Sequence, residues 1–175
     1  MSLQATIAKL LLKLPASWKI KMAGGQPFEL GGRTLDPNLQ FIAHGAAKQP
    51  PMSSLEPEVA QAAAIEGLGM FAAPPEPGVA FHDQTIPAQG GHEIPVRIYR
   101  PVDQNPTAPA LAYWHMGGGV ILNVEACHAF CSMLAKTAKC PVVSVDYRLA
   151  PQHKFPAGLE DSITAYEWTL KNAES

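Results

Sequence analysis

Residues 110–119 read Ala-Leu-Ala-Tyr-Trp-His-Met-Gly-Gly-Gly, a mostly apolar run that ends in three consecutive glycines. The first five residues predict a buried strand, and the residues from His115 to Gly119 predict the loop that follows it. Because glycine has no Cβ, the N–H groups of this loop can turn toward an anion, and a ligand can approach the main chain closely. A glycine loop after a buried strand is typical of the edge of an α/β sheet that carries the site.

Helix and strand alternate downstream of this loop. The sequence predicts a helix, then an apolar strand at 142–145, and then a second helix at 157–172. The inner face of the first helix is predicted to carry Cys127, Cys131, Leu134 and Ala138. The alternation of helices and strands predicts an α/β protein with a mostly parallel sheet.

A β-hairpin is predicted upstream of the loop. A strand from Val79 to Ile86 precedes the turn Gln89-Gly90-Gly91, and a second strand follows the turn. In the second strand, apolar residues at 94, 96 and 98 alternate with Arg97 and Tyr99. This alternation predicts a half-buried strand whose other face carries Arg97 and Tyr99. Before the hairpin, Asp36-Pro37 and Glu56-Pro57 predict the beginnings of two helices, so residues 15–78 are predicted to form a small helical layer.

The residues after the glycines narrow the chemistry of the loop. A phosphate-binding loop would continue with lysine and Ser/Thr, but Val120, Ile121 and Leu122 follow instead. A dinucleotide-binding loop would have glycine at position 122. Two interpretations stay open on the loop alone. One is an oxyanion hole, in which two N–H groups stabilise a tetrahedral intermediate, and the other is a tight turn without chemistry.

A second motif lies directly after the strand at 142–145. Residues 146–161 read Asp-Tyr-Arg-Leu-Ala-Pro-Gln-His-Lys-Phe-Pro-Ala-Gly-Leu-Glu-Asp. With these residues and the glycine loop, the chain resembles the amino-terminal half of a hormone-sensitive-lipase-type (bacterial family IV) esterase or lipase of the α/β-hydrolase fold. That family has His-Gly-Gly-Gly after its third strand, then Asp-Tyr-Arg-Leu-Ala-Pro-Glu, Phe-Pro-Ala and Leu-Glu-Asp. The resemblance implies a helical cap at 1–78 and the first half of a catalytic domain at 79–175.

The resemblance also implies roles for the loop residues. Gly117 and Gly118 match the glycines whose N–H groups form the oxyanion hole, and His115 matches a histidine that braces the loop. Met116 stands where the family has its first glycine, so we expect Met116 and Gly119 to border the bound substrate. Gln152 replaces the family's glutamate.

The catalytic triad of the family has no counterpart among these residues. Hydrolases of this fold use a serine on a Gly-x-Ser-x-Gly turn, followed later in the chain by an acid and a histidine. None of the eight serines stands in such a turn. The chain is therefore predicted to supply the cap and oxyanion hole of a hydrolase of short acyl esters, with the triad in a missing carboxyl-terminal part. The alternative is a non-catalytic fragment or binding module.

The implied strand order predicts a partner for the sheet. In the family, the third strand lies between the fourth strand and the strand that delivers the nucleophile. The strand at 110–114 would then be an uncovered edge, which pairs with a complementary carboxyl-terminal segment, a second chain or a second copy of this chain.

Composition excludes other classes of function. With 13 Lys and Arg residues against 15 Asp and Glu residues, the net charge is −2. The sequence has no cluster of basic residues, so nucleic-acid binding is not expected. No apolar run approaches the roughly 20 residues of a membrane span.

Three cysteines cannot all pair, which favours a reducing, cytoplasmic location. Cys127, His128 and Cys131 do not complete a tetrahedral metal site, so neither metal nor cofactor is expected.

Overall fold

The computed structural model describes residues 3–88 and 90–172, and these fall into two compact units. The first unit comprises Met1–Ala60 and Gly69–Phe71, and the second comprises Gln61–Leu68 and Ala72–Ser175. Gln89 of the predicted hairpin turn lies outside the described residues.

The first unit is mainly helical. Its elements are α1 (Leu3–Leu12), α2 (Ala16–Met22), a short antiparallel pair of β1 (Glu29–Leu30) and β2 (Arg33–Thr34), α3 (Pro37–Ala46) and a 3₁₀ turn (Met52–Ser54). The carboxylate of Asp36 accepts hydrogen bonds from the N–H groups of Asn38 and Leu39, so it caps α3 as the sequence predicts.

Helix α4 (Pro57–Phe71) begins at the second predicted helix start. Gly67 and Gly69 lie within this helix, which continues to Phe71. Its segment Gln61–Leu68 belongs to the second unit.

The second unit is built on a four-stranded sheet in the order β3-β4-β6-β5. Its strands are β3 (Val79–Pro87), β4 (Glu93–Pro101), β5 (Leu111–Trp114) and β6 (Val142–Val145). β3 and β4 form the predicted hairpin, β4 pairs with β6 in antiparallel orientation, and β5 pairs with β6 in parallel orientation. Of the mostly parallel sheet that the sequence predicts, the described residues thus contain one parallel pair. Within these residues β5 pairs with β6 alone, so β5 is an edge strand.

Two helices cover opposite faces of this sheet. Helix α5 (His128–Ala138) connects β5 to β6, and α6 (Ala157–Asn172) follows β6. Val143 and Val145 pack with Ala165 of α6, whereas Val142, one position away on the other face, packs with Cys131 of α5. The bounds of β6 and α6 confirm the prediction.

Two predictions about burial are wrong. Arg97 is 9% exposed and Tyr99 0% exposed, although the alternation in β4 predicted one open face. β4 lies between β3 and β6, and α5 covers the face that carries Tyr99. On α5, Ala135 is buried and Ala138 is exposed, which reverses the predicted inner face at that turn.

None of the helices in residues 3–88 and 90–172 is long and apolar enough to cross a membrane.

Candidate active site

The glycine loop lies at the carboxyl edge of the parallel pair. β5 ends at Trp114 and is followed by His115, while β6 ends at Val145 and is followed by Asp146. Because parallel strands end at the same edge, the loop and the segment that begins at Asp146 are neighbours. The sequence predicted the loop at this edge, and the structure brings the two motifs together there.

The backbone of the loop requires glycine. The φ angles of Gly117, Gly118 and Gly119 are 126°, 64° and 73°, in the left-handed half of conformational space that disfavours other residues. At Gly117 there is also no room for a side chain, because a Cβ would lie 2.0 Å from the carbonyl oxygen of Ile121. Gly118 has open space around it, so conformation alone selects glycine there.

The hydrogen bonds of the loop leave the N–H groups of Gly117 and Gly118 open. The N–H groups of Val120 and Ile121 both donate to the carbonyl of Gly117 at 3.2 Å. The carbonyl of Gly119 accepts from the N–H of Ala150 at 2.9 Å. Among the described residues, no acceptor is found for the N–H groups of Gly117 and Gly118. These are the two groups that the family resemblance assigns to an oxyanion hole.

His115 is packed beneath the loop, and its side chain is fully buried. Its Nδ1 lies 2.9 Å from the carbonyl oxygen of Met116, so Nδ1 carries the hydrogen and donates it. The imidazole stacks on the Tyr147 ring with the centroids 4.3 Å apart, and the Tyr147 hydroxyl donates to the carbonyl of His115 at 2.9 Å. Burial raises the pKa of Tyr147, and a hydrogen bond with the backbone of Gly119 partly offsets that rise.

Asp146 connects the loop to the end of β6. Its Oδ1 accepts from the N–H of Val124 at 3.1 Å and lies 3.7 Å from Nε2 of His115. Leu122, two residues before Val124, is buried and has a φ of 73°, a conformation that is costly for a residue other than glycine. Such strain is found most often at functional sites.

The second motif contains a buried ionic cluster around Asp161. This carboxylate accepts hydrogen bonds from the Arg148 N–H at 2.9 Å, from Nη2 of Arg148 at 2.8 Å and from Nε2 of His92 at 2.8 Å. Burial alone would raise the pKa of Asp161, but these hydrogen bonds outweigh it and lower the pKa. No local pattern pairs Asp161 with these residues, because neither Arg148 nor His92 lies on the helix that carries Asp161.

The two residues that depart from the family motifs, Met116 and Gln152, are less constrained. The side chain of Met116 is 54% exposed at the loop surface. Gln152, also exposed, pairs with Gln61 of α4, a residue that the sequence did not single out and that lies 91 positions away. No local pattern could have identified this partner.

The Cys127, His128 and Cys131 group is part of the packing under β4. Nδ1 of His128 accepts from the Tyr99 hydroxyl at 2.9 Å, and burial raises the pKa of Cys131 to about 11. Within residues 3–88 and 90–172, no three His, Cys, Asp or Glu side chains are placed to hold a metal ion.

Comparison with known proteins identifies relatives that are esterases. A model of the alpha/beta hydrolase fold matches residues 111–175. Ethyl acetate hydrolase of Pseudomonas putida is 35% identical over 141 residues, which are 78% of this chain and 44% of that protein. The carboxylic ester hydrolase LipN of Mycobacterium tuberculosis is 32% identical over 173 residues, 94% of this chain and 44% of that protein.

A solved structure gives the same result. The hyperthermophilic esterase of the archaeon Pyrobaculum calidifontis is 36% identical and superimposes with a TM-score of 0.66, covering 77% of this chain and 43% of that one. The chain therefore spans less than half the length of the curated relatives it matches.

Proposed function

The chain belongs to the α/β-hydrolase fold family of esterases and lipases, and on this premise we propose that it takes part in the hydrolysis of carboxylic esters with short acyl groups. The mechanism is the acyl-enzyme route. A serine attacks the ester carbonyl, a tetrahedral oxyanion forms and collapses with loss of the alcohol, and water then releases the acid. The part that these residues supply is stabilisation of the oxyanion.

The observation that carries this proposal is the pair of open N–H groups at Gly117 and Gly118. They lie on a glycine loop at the carboxyl edge of the sheet, and the rest of the loop is fixed by hydrogen bonds to Gly117, Gly119 and Asp146. Donors that are held in place before the reaction stabilise the developing charge without reorganising. Loss of one such donor costs roughly 10²–10³-fold in kcat.

The neighbours of the loop have supporting roles in this proposal. His115 braces the loop from beneath through its hydrogen bond to Met116 and its stacking on Tyr147. Met116 and Gly119 border the acyl group of the substrate. No cofactor is required, because each step is acid–base and nucleophilic chemistry.

The triad is proposed to come from a segment outside these 175 residues. No serine here stands in a Gly-x-Ser-x-Gly turn, and Ser132 and Ser162 hydrogen-bond to backbone groups. The β5 edge is the place where the complementary segment adds its strand. Residues 1–78 are proposed to act as the cap and residues 79–175 as the first half of the catalytic domain. Free, buried thiols at all three cysteines favour the cytoplasm.

The experiment compares the chain alone with a chimera in which it replaces the matched part of the Pseudomonas putida ethyl acetate hydrolase. The chimera is expected to hydrolyse p-nitrophenyl acetate and to react one-to-one with a serine-directed phosphonate, whereas the chain alone is expected to do neither. If the chain alone hydrolyses p-nitrophenyl acetate and reacts one-to-one with the phosphonate, the nucleophile lies within it. A chimera that binds the phosphonate but has no turnover favours the alternative of a non-catalytic binding module.

A further inference from the structure

We propose that Gln61 and Gln152 are positioning residues that clamp the glycine loop to the segment after β6. This inference rests on the proposed function, because it assigns the clamp to the loop that holds the oxyanion donors. Gln61 lies in the segment Gln61–Leu68 of α4, which belongs to the same compact unit as the loop.

The side chain of Gln61 contacts both sides of the site. Its Nε2 lies 2.8 Å from the carbonyl oxygen of Val120, directly after the three glycines, and 3.2 Å from the carbonyl oxygen of Ala150. A third acceptor is Oε1 of Gln152, at 3.1 Å. The two hydrogens of one amide are therefore shared among three oxygens, two of which are backbone carbonyls on different loops.

The orientation of the Gln61 amide follows from these contacts. If the amide were turned over, its oxygen would face two carbonyl oxygens and both pairs would repel. With Nε2 directed at the backbone, Oε1 of Gln61 is left as an acceptor, and Nε2 of Gln152 donates to it at 3.0 Å. The two side chains thus exchange a reciprocal pair of hydrogen bonds, which needs an amide on both.

The clamp reinforces a backbone connection between the same two segments. The N–H of Ala150 donates to the carbonyl of Gly119, and Gln61 contacts Ala150 itself and Val120, the residue that follows Gly119. Val120 in turn donates to Gly117. A shift of Val120 would therefore be transmitted directly to the glycines that present the open N–H groups.

This geometry explains why glutamine suits position 152 in this chain. A carboxylate there could accept from Nε2 of Gln61, but its second oxygen would face Oε1 of Gln61 without a hydrogen between them. A glutamate at position 152 needs a donor-only partner at position 61. The two positions are expected to depend on each other.

The test is hydrogen–deuterium exchange of the full chain, followed on peptides that cover 117–122 and 149–152, with a peptide of β6 as internal reference. The variants are Gln61→Met, which removes the donors but keeps a straight helix-forming side chain, Gln152→Glu, and the double variant Gln61→Lys/Gln152→Glu. Gln49→Glu is the matched control, because Gln49 is exposed in the first unit and its side chain has no hydrogen bond among the described residues.

We expect Gln61→Met to accelerate exchange in both loop peptides by roughly threefold to tenfold, as the loss of one or two hydrogen bonds would, with β6 unchanged. Gln152→Glu should have a smaller effect of the same kind. The double variant should restore exchange to within about twofold of the original chain, because the lysine donates to both carbonyls and to the carboxylate.

Unchanged exchange in Gln61→Met, equal acceleration in β6, or failure of the double variant to restore the loop would each overturn the clamp. Exchange is measured without substrate, so its result does not depend on esterase activity. If the loop peptides respond while kcat of the chimera does not, the clamp stands and the proposed function of the loop is wrong.

Discussion

The glycine loop and the Asp161 cluster lie at the same end of the sheet, but they differ in whether their polar groups have hydrogen-bond partners. In the loop, Gly117 and Gly118 present N–H groups for which the described residues contain no acceptor. In the cluster, the carboxylate of Asp161 is buried and accepts hydrogen bonds from the backbone and guanidinium of Arg148 and from His92.

The difference separates a part that stabilises the fold from a part that is available for chemistry. A buried group with every hydrogen bond made lowers the free energy of the folded state, and removing one partner is costly. Open donors on a rigid loop contribute nothing to folding until an anion arrives. Substitutions in the cluster should therefore change stability, and substitutions in the loop should change catalysis.

The largest expected effect is that of Gly117→Ala in the chimera. The new Cβ would lie 2.0 Å from the carbonyl oxygen of Ile121, so the loop must move and its N–H groups with it. We expect kcat to fall by at least about 10²–10³-fold, the cost of losing an oxyanion donor. Gly118→Ala is the comparison variant: nothing lies within 4 Å of its Cβ, so only the strain of a φ of 64° acts on it, and we expect a smaller loss of kcat. Equal kcat values in these two variants would remove the distinction between their sites.

The counterpart in the cluster is Arg148→Met. It leaves the carboxylate of Asp161 buried with His92 as its remaining side-chain partner, so we expect the free energy of unfolding to fall by roughly 3 kcal/mol. The pKa of Asp161 should rise, because the guanidinium hydrogen bonds that help to lower it are lost, while those from the backbone N–H of residue 148 and from His92 remain. Urea unfolding of the chimera measures the fall in the free energy of unfolding.

Glu160→Gln is the control for Arg148→Met. Glu160 is 3.8 Å from Arg148 and exposed, so its loss should cost at most about 0.5 kcal/mol. Similar losses in both variants would contradict the account.

The β5 edge should determine the association state of the chain. The N–H of Leu111 donates inward to Pro141, and alternation along the strand directs the N–H of Ala112 to the open edge. We expect the isolated chain to self-associate in size-exclusion chromatography with light scattering, and Ala112→Pro to reduce that association by removing the outward donor. A monodisperse, cooperatively melting monomer of the original chain would show that the half-sheet is self-sufficient.

A smaller effect is expected from His128, which accepts from both Tyr99 and Arg97 through Nδ1 and is therefore neutral. Burial and then the charge of Arg97 lower its pKa, while Glu125 and Asp83 oppose the shift. The folded state binds fewer protons than the unfolded state, so stability is lost as pH falls below about 6.5, with a slope of at most about 1.4 kcal/mol per pH unit. His128→Asn keeps an acceptor without a titrating ring and should remove this slope between pH 5 and 7. An unchanged slope would assign the effect to another group.

The sequence predicted those features that local patterns encode. β6 and α6 have the predicted bounds, because an apolar run of four and a long amphipathic segment leave little choice. The glycine loop was also predictable, since three consecutive glycines after a strand occur in only a few kinds of loop. Arg97 and Tyr99 were misjudged because burial of a strand depends on what covers its second face, and the helix that does so lies about 30 residues further along the chain.

The parts of the site that the sequence missed depend on contacts between distant residues. Gln61 and Gln152 are separated by 91 positions, and His92 and Asp161 by 69. No local sequence pattern marks any of these polar residues, and only the tertiary arrangement shows their partners. Periodicity and spacing describe one element at a time, so they cannot indicate a clamp between a helix and two loops.

The most direct test of the central claim replaces a single atom. Proline at position 118 would distort the loop as well as remove the donor, because the φ of Gly118 is 64° and that of proline is fixed near −65°. Glycolic acid in place of Gly118 exchanges the N–H for an ester oxygen and keeps the conformational freedom of glycine. In the chimera, we predict that this change lowers kcat for p-nitrophenyl acetate by roughly 10²–10³-fold while KM changes far less. An unchanged kcat in a folded, phosphonate-reactive chimera would contradict the account and leave the loop as a tight turn.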